Sequence, residues 1–156
     1  MIQTNPITLS KEQFFKLLLV RYIKQKWWLL TIMLIFVVSI ASQDVLERTD
    51  FIFLAMFISY PLLIVFQLWR WVNSDENKAF LTERIYCVND SLITGKTDEN
   101  NFSTVEKNNL IKSEIILGTY LLYITKNQFF YLPFSSFQSE EDRIWFENNY
   151  ISRRTN

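Results

Sequence analysis

A chain of 156 residues with 16 cationic and 16 acidic side chains has no net charge to draw it to nucleic acid. With no histidine and a single cysteine it also lacks an internal disulfide and the common His-based zinc, haem and Cys/His nucleophile arrangements. Fourteen Phe, seven Tyr and five Trp against two Gly and three Pro exclude a disordered or low-complexity chain, so these rings need somewhere to be buried.

The balanced charge is unevenly divided. Residues 1–26 hold five cations (Lys11, Lys16, Arg21, Lys24 and Lys26) against Glu12. Residues 73–156 hold nine cations against twelve acids, which makes nucleic acid a poor partner for the C-terminal part. In the stretch ITLSKEQFFKLLLVRYIKQK, Ser10 and Gln13 have the spacing of a capping box, and the residues after them are broadly apolar. This predicts an N-terminal amphipathic helix within residues 1–26, which either lies in a membrane interface or runs straight into the next segment.

Two apolar runs follow. Residues 27–43, WWLLTIMLIFVVSIASQ, and residues 51–69, FIFLAMFISYPLLIVFQLW, carry no charge and have the length of membrane spans. The alternatives are a cleaved signal peptide, for which the first run is too long and too closely followed by a second, and a pair of buried core helices, which this chain is too small to cover. Residues 27–72 are therefore expected to form a transmembrane hairpin. Tryptophan favours the headgroup zone, and long cationic side chains reach from it into water. Arg21, Lys24, Lys26, Trp27 and Trp28 before the first span, and Trp69, Arg70 and Trp71 after the second, are thus the expected membrane-interface residues, both groups marking the same leaflet. The cation bias puts both termini in the cytoplasm and the eight-residue link QDVLERTD outside. Pro61 removes one backbone donor in mid-span and is expected to bend the helix. Asp44, Glu47 and Asp50 in the link are expected to be a solvated turn, without the glycine turn or carbonyl scaffold of a calcium site.

After residue 72 the pattern changes to short alternating segments. RIYCVND and SLITGKT read as two strands around Asn89-Asp90, and GTYLLYIT and QFFYLPF as a hairpin turning at Lys126-Asn127. Residues between them contribute further strand and an irregular or short helical piece. SEEDRIWFENNYI opens with Ser139 as an N-cap and places Glu140, Glu141 and Asp142 against the helix dipole, which explains these acids without any catalysis. Ile144, Trp145 and Tyr150 are expected to face the sheet. Cys87 reads as a buried, inert thiol, Lys96 after Gly95 lacks the rest of a phosphate loop, and Arg153 and Arg154 read as a solvated tail. The fold class is a membrane α+β protein, with residues 73–156 forming a small antiparallel β domain closed by a C-terminal helix.

The order of ITLSKEQF, a two-span hairpin, ERIYCVNDSLIT and a closing YLPFSSFQSEED ahead of a helix resembles the YcxB-like family of small bacterial membrane proteins. The resemblance covers most of the chain, with residues 96–113 diverging. It implies a PH-like C-terminal domain, with Pro133, Phe134 and Phe137 marking the last strand as it turns into the helix, and a bacterial cytoplasmic membrane. It brings no catalytic residues, cofactor or metal. Three function classes remain, in order of preference: a cytosolic interaction module on a membrane anchor, with a protein partner or a homo-oligomer formed through the spans or a sheet edge; an immunity-type protein that neutralises a toxin at the membrane; and an interfacial enzyme.

Overall fold

The computed structural model describes residues 1–98, 101–126 and 128–151. Helices near the N-terminus precede a small antiparallel two-sheet β region and a C-terminal helix. The chain divides into a helical unit, Ser10–Lys78, and a β unit made of Met1–Leu9 together with the chain from Ala79 onward.

The helical unit holds α1 (Lys11–Ala41) and α2 (Arg48–Val72). Ser10 caps α1 as the sequence predicts: its hydroxyl accepts from the Gln13 N–H at 3.1 Å, and the Gln13 side chain accepts from the Ser10 N–H at 3.0 Å. The helix then runs without a break through residue 26 into the first apolar run, so of the two expected arrangements the continuous one is observed. It ends at Ala41, where the Ser42 N–H bonds back to the Val38 carbonyl at 3.0 Å. The connection is shorter than the eight residues expected, because Arg48, Thr49 and Asp50 already belong to α2. The Asp50 carboxylate accepts from the Glu47 N–H at 2.8 Å, satisfying an orphan donor at the helix start.

In the β unit, β1 (Ile2–Gln3), β2 (Ile85–Val88), β3 (Leu92–Asp98) and β4 (Asn101–Glu106) form one sheet in that order. A second sheet contains β5 (Lys112–Ile116), β6 (Thr119–Tyr123) and β7 (Phe129–Pro133). All neighbouring strands are antiparallel. The strand pairs read from RIYCVND/SLITGKT and GTYLLYIT/QFFYLPF are present, although Asn127, part of the expected turn, lies outside the described residues, as do Arg153 and Arg154. Residues 96–113, which the resemblance leaves unmatched, supply β4, a 3-10 turn at Lys107–Asn109 and the start of β5.

Local chemistry sets the turns. The Asn89 side-chain carbonyl accepts from the N–H groups of Ser91 (2.9 Å) and Leu92 (2.7 Å), an Asx turn that reverses the chain between β2 and β3. Between β5 and β6 the two turn residues, Leu117 (φ +50°) and Gly118 (φ +68°), are both left-handed, as a tight hairpin requires. Gly95 lies opposite Tyr86 in the register; a Cβ there would come within 2.9 Å of the Tyr86 ring, so the glycine makes room for that ring.

Every residue of β6 is buried, the mark of a strand covered on both faces. Tyr86 meets Phe130 edge-on at 5.6 Å between the sheets, while Tyr120 lies 5.1 Å from Phe146 and 5.9 Å from Phe137. β7 ends at Pro133, and a 3-10 turn at Phe134–Ser136 leads to Ser139, whose hydroxyl accepts from the Asp142 N–H at 3.1 Å to start α4 (Glu140–Phe146). The chain continues as one π-type turn, Glu147–Ile151. Tyr150 is buried as expected and Trp145 half-buried, but Ile144 points to solvent. The face turned inward is set by Phe146 and Tyr150, four residues apart and stacked at 5.1 Å, and Ile144 falls outside that stripe.

Two further corrections concern the ends of the β unit and its cysteine. Residues 1–9 are not part of the N-terminal helix. Ile2 and Gln3 pair with Val88 and Cys87, and Ile7 and Arg84 exchange two backbone hydrogen bonds at 2.8 and 2.9 Å. Ile2, Thr4, Ile7 and Leu9 are buried in this segment. Cys87 is half-buried rather than buried, because its neighbours Tyr86 and Val88 take the inward face and strand alternation turns Cys87 to the other.

Candidate functional site

The feature that sets this chain apart is the surface of its helical unit. α1 and α2 are both long and apolar enough to cross a membrane. At 31 and 25 residues they extend about 46 Å and 37 Å, against a hydrocarbon thickness of about 30 Å. Only 6% of the most apolar stretch of α1 and none of that of α2 is buried. Leu34 is 62% exposed and Leu62 66%, and Ile35, Phe36, Val38, Phe51, Phe53 and Phe66 are likewise exposed.

Contacts between the two helices are few in kind and ordered along the hairpin. At its base the Lys11 ammonium donates to the Asn73 side-chain carbonyl at 3.1 Å, and the Phe14 and Trp71 rings lie 5.4 Å apart. Farther along, the Tyr22 and Tyr60 hydroxyls hydrogen-bond at 3.0 Å, and Phe36 stacks on Phe57 at 5.7 Å. Leu30, Met33, Leu34 and Val37 of α1 and Phe57, Ile58, Pro61 and Leu62 of α2 line a shallow apolar groove. α2 stays helical through Pro61, and that residue forms part of the groove wall.

Tyr60 is a polar side chain within the second uncharged run, and the sequence gives no partner for it. The partner, Tyr22, lies in a stretch read there as simply apolar, and no periodicity links residues 38 apart, so only the antiparallel pairing of the helices brings them together.

Seven of the eight expected interface residues are exposed. Trp27 and Trp28 are exposed, as are Lys24, Lys26, Trp69, Arg70 and Trp71, while Arg21 is half-exposed. They do not all share one level. Trp71 sits against Phe14, thirteen residues before Trp27, which is about 20 Å farther along α1. The cause is the length of α1, which begins well ahead of the first apolar run, so the last turn of the antiparallel α2 meets its first turn.

The end of α2 is capped by polar groups. The Asn73 side chain donates to the Trp69 carbonyl and the Asn77 side chain to the Trp71 carbonyl, both at 2.8 Å, and Arg70 stands in the last turn, where the helix dipole favours a cation. Asp75 and Lys78 pair at 2.8 Å just beyond; that hydrogen bond and charge hold the carboxyl below its usual range and raise the ammonium.

In the β unit the polar clusters brace the closing helix. Arg143 pairs with Glu140 and, at 3.0 Å, with Glu147, and the Tyr120 hydroxyl donates to Glu147 at 2.6 Å. Burial, followed by this hydrogen bond, raises the Tyr120 phenol pKa, and Arg143 holds the Glu140 carboxyl below its ordinary value. The Tyr150 hydroxyl donates to the Asn89 carbonyl at 2.6 Å, and burial, then the nearby Asp90, pushes its pKa up to about 12. Among the described residues, no three acidic or cysteine side chains converge as metal ligands. Comparison with protein-family models, with curated proteins and with solved structures yields no match.

Proposed function

We propose that this chain is an integral protein of the bacterial cytoplasmic membrane, with α1 and α2 crossing the bilayer twice and both flanks of the hairpin on the cytoplasmic side. Its β unit serves there as a protein-interaction module with no reaction of its own. The observation that carries this reading is the outward-facing apolar surface of two helices longer than the hydrocarbon core is thick. In water such a surface would far exceed the few hundred Å2 of exposed apolar patch typical of soluble monomers. Lipid covers it readily, because the helices satisfy their own backbone groups internally. The cation bias of residues 1–26 supports the orientation. Four and three antiparallel strands closed by a helix, with Pro133, Phe134 and Phe137 at the turn into it, support a PH-like arrangement and the YcxB-like resemblance.

The test uses Val45, which is 77% exposed in the connection between the helices. In intact cells expressing Val45→Cys, a membrane-impermeant maleimide is expected to label the introduced thiol and to leave the native Cys87 untouched until the membrane is opened. Recovery of the chain from the soluble fraction, monodisperse in buffer without detergent, overturns the membrane reading. Labelling of Cys87 in sealed cells overturns the orientation alone.

A further inference from the structure

Ile2 and Gln3 pair with Val88 and Cys87, and Ile7 bridges to Arg84, yet both membrane-length helices separate these partners in sequence. The N-terminal segment is held closely. The Thr4 N–H donates to the Tyr86 carbonyl, and the Tyr86 N–H donates to the Thr4 hydroxyl, both at 2.9 Å. The Asn5 N–H reaches the Ser136 carbonyl at 2.7 Å, and Ile7 and Arg84 bond in both directions. Thr4 itself is buried, its hydroxyl satisfied by the β2 backbone. The segment thus acts as a strap between β2 and the turn that follows β7.

We propose that this strap is a topological lock, which bars completion of the β unit in a chain whose helices have crossed the membrane an odd number of times. The inference rests on the membrane reading above. If one helix crossed and the other did not, residues 2–9 and 84–88 would lie on opposite sides of about 30 Å of hydrocarbon, and the pairing could not form. The β2 edge would then lose its neighbour, with the Tyr86 N–H and C=O left without their present partners, and Ile2 and Ile7 would lose their places beside β2. Two crossings put both segments on one side, and the sheet closes. The charge bias of the flanks guides the orientation while the chain inserts; the strap discriminates afterwards, because only an even number of crossings gains its hydrogen bonds and buried side chains. Ser10 follows the strap directly and caps α1, so the lock and the first helix are adjacent in sequence.

The register supplies the test. Gln3 lies directly opposite Cys87, the one cysteine in the chain, at a spacing that cross-strand disulfides accept. In membranes containing the full chain, Gln3→Cys under mild oxidation is expected to give an intramolecular disulfide with Cys87, seen as a shifted monomer band. Adding Ile7→Asp, which puts a charge in a buried strap position, is expected to abolish that band. Adding Leu62→Arg and Leu63→Arg, which oppose insertion of α2, is expected to abolish it as well. Absence of the disulfide in the Gln3→Cys chain overturns the pairing, and disulfide-linked dimers as the main product overturn its formation within one chain. A band that survives the two arginines in a chain still requiring detergent for extraction, with its β unit cut by protease added outside sealed cells, overturns the lock and leaves the membrane reading intact. A Gln3→Cys chain without the arginines that is washed off the membrane by salt overturns the membrane reading itself.

Discussion

The two units draw on the same side chains and use them in opposite ways. In the β unit Leu121, Leu122, Leu132, Phe146 and Tyr123 have almost no exposure, whereas in the helical unit Leu34, Leu62, Phe36 and Phe53 face outward. The β unit is built as a protein in water is, with a ring-filled interior and the charges of Lys112, Glu114, Glu140 and Arg143 toward its surface. The helical unit has no such interior of its own between Trp27 and Trp69. What differs is the solvent each surface suits, and the place where the pattern changes tells more about this chain than either pattern alone.

The sharpest way to break that comparison is to put the same charge into both units. Leu34→Arg replaces an exposed residue and in a water-facing helix would change stability by less than about 0.5 kcal/mol. In lipid it is expected to cost about 2.5–3.5 kcal/mol near the bilayer centre, read as a loss of membrane-inserted chain. Leu121→Arg is expected to unfold the β unit while leaving the chain in the membrane fraction, measured by protease sensitivity beyond residue 79, because the charge would be buried without a partner. A milder core change, Phe146→Ala, removes a ring packed on Tyr120, Phe137 and Tyr150 and is expected to destabilise the β unit by about 3–5 kcal/mol in denaturant titrations, with the helical signal of the hairpin unchanged.

Alkali sharpens the contrast further. The Tyr150 phenol holds its proton up to about pH 12 in the folded chain, whereas an unfolded tyrosine titrates near 10. The folded state therefore binds this proton more tightly, so its contribution to stability is complete below pH about 10 and is lost as the pH climbs toward 12. Tyrosinate absorbance is expected to rise together with melting of the β unit in that window while the hairpin stays helical; a hairpin that melts first would reverse the assignment. The smallest effect is expected from Ser139→Ala, which removes the cap of α4 and costs about 1 kcal/mol in the same denaturant titration.

Much of this arrangement is legible in the sequence wherever the signal is local. Ser10 with Gln13, Ser139 ahead of three acids, Asn89 between two alternating segments and the two uncharged runs each act within a few residues, and each reappears as a cap, a turn or a helix. What escapes is pairing across long separations. Nothing in MIQTNPITL announces that Thr4 will bond Tyr86 or that Ile7 will bond Arg84, because a two-residue strand has no periodicity of its own and its partner lies beyond both helices. The pairing of the helix ends escapes for a related reason: the sequence shows Trp27 and Trp71 at the margins of the apolar runs, but only the packing of Phe14 on Trp71 brings the end of α2 to the first turn of α1. Ile144 shows the limit within a single helix, since its apolar character fits either face and the stack of Phe146 on Tyr150 decides which one turns inward.

The placement of the aromatic residues divides the molecule optically. Trp27, Trp28, Trp69 and Trp71 belong to the helical unit and only Trp145 to the β unit, whereas Tyr86, Tyr120, Tyr123, Tyr131 and Tyr150 fill the β interior. Indole emission, quenched by brominated acyl chains, would therefore follow chiefly the hairpin's depth, and phenol signals in the near ultraviolet, with Tyr22 and Tyr60 replaced by Phe, would follow the sheets.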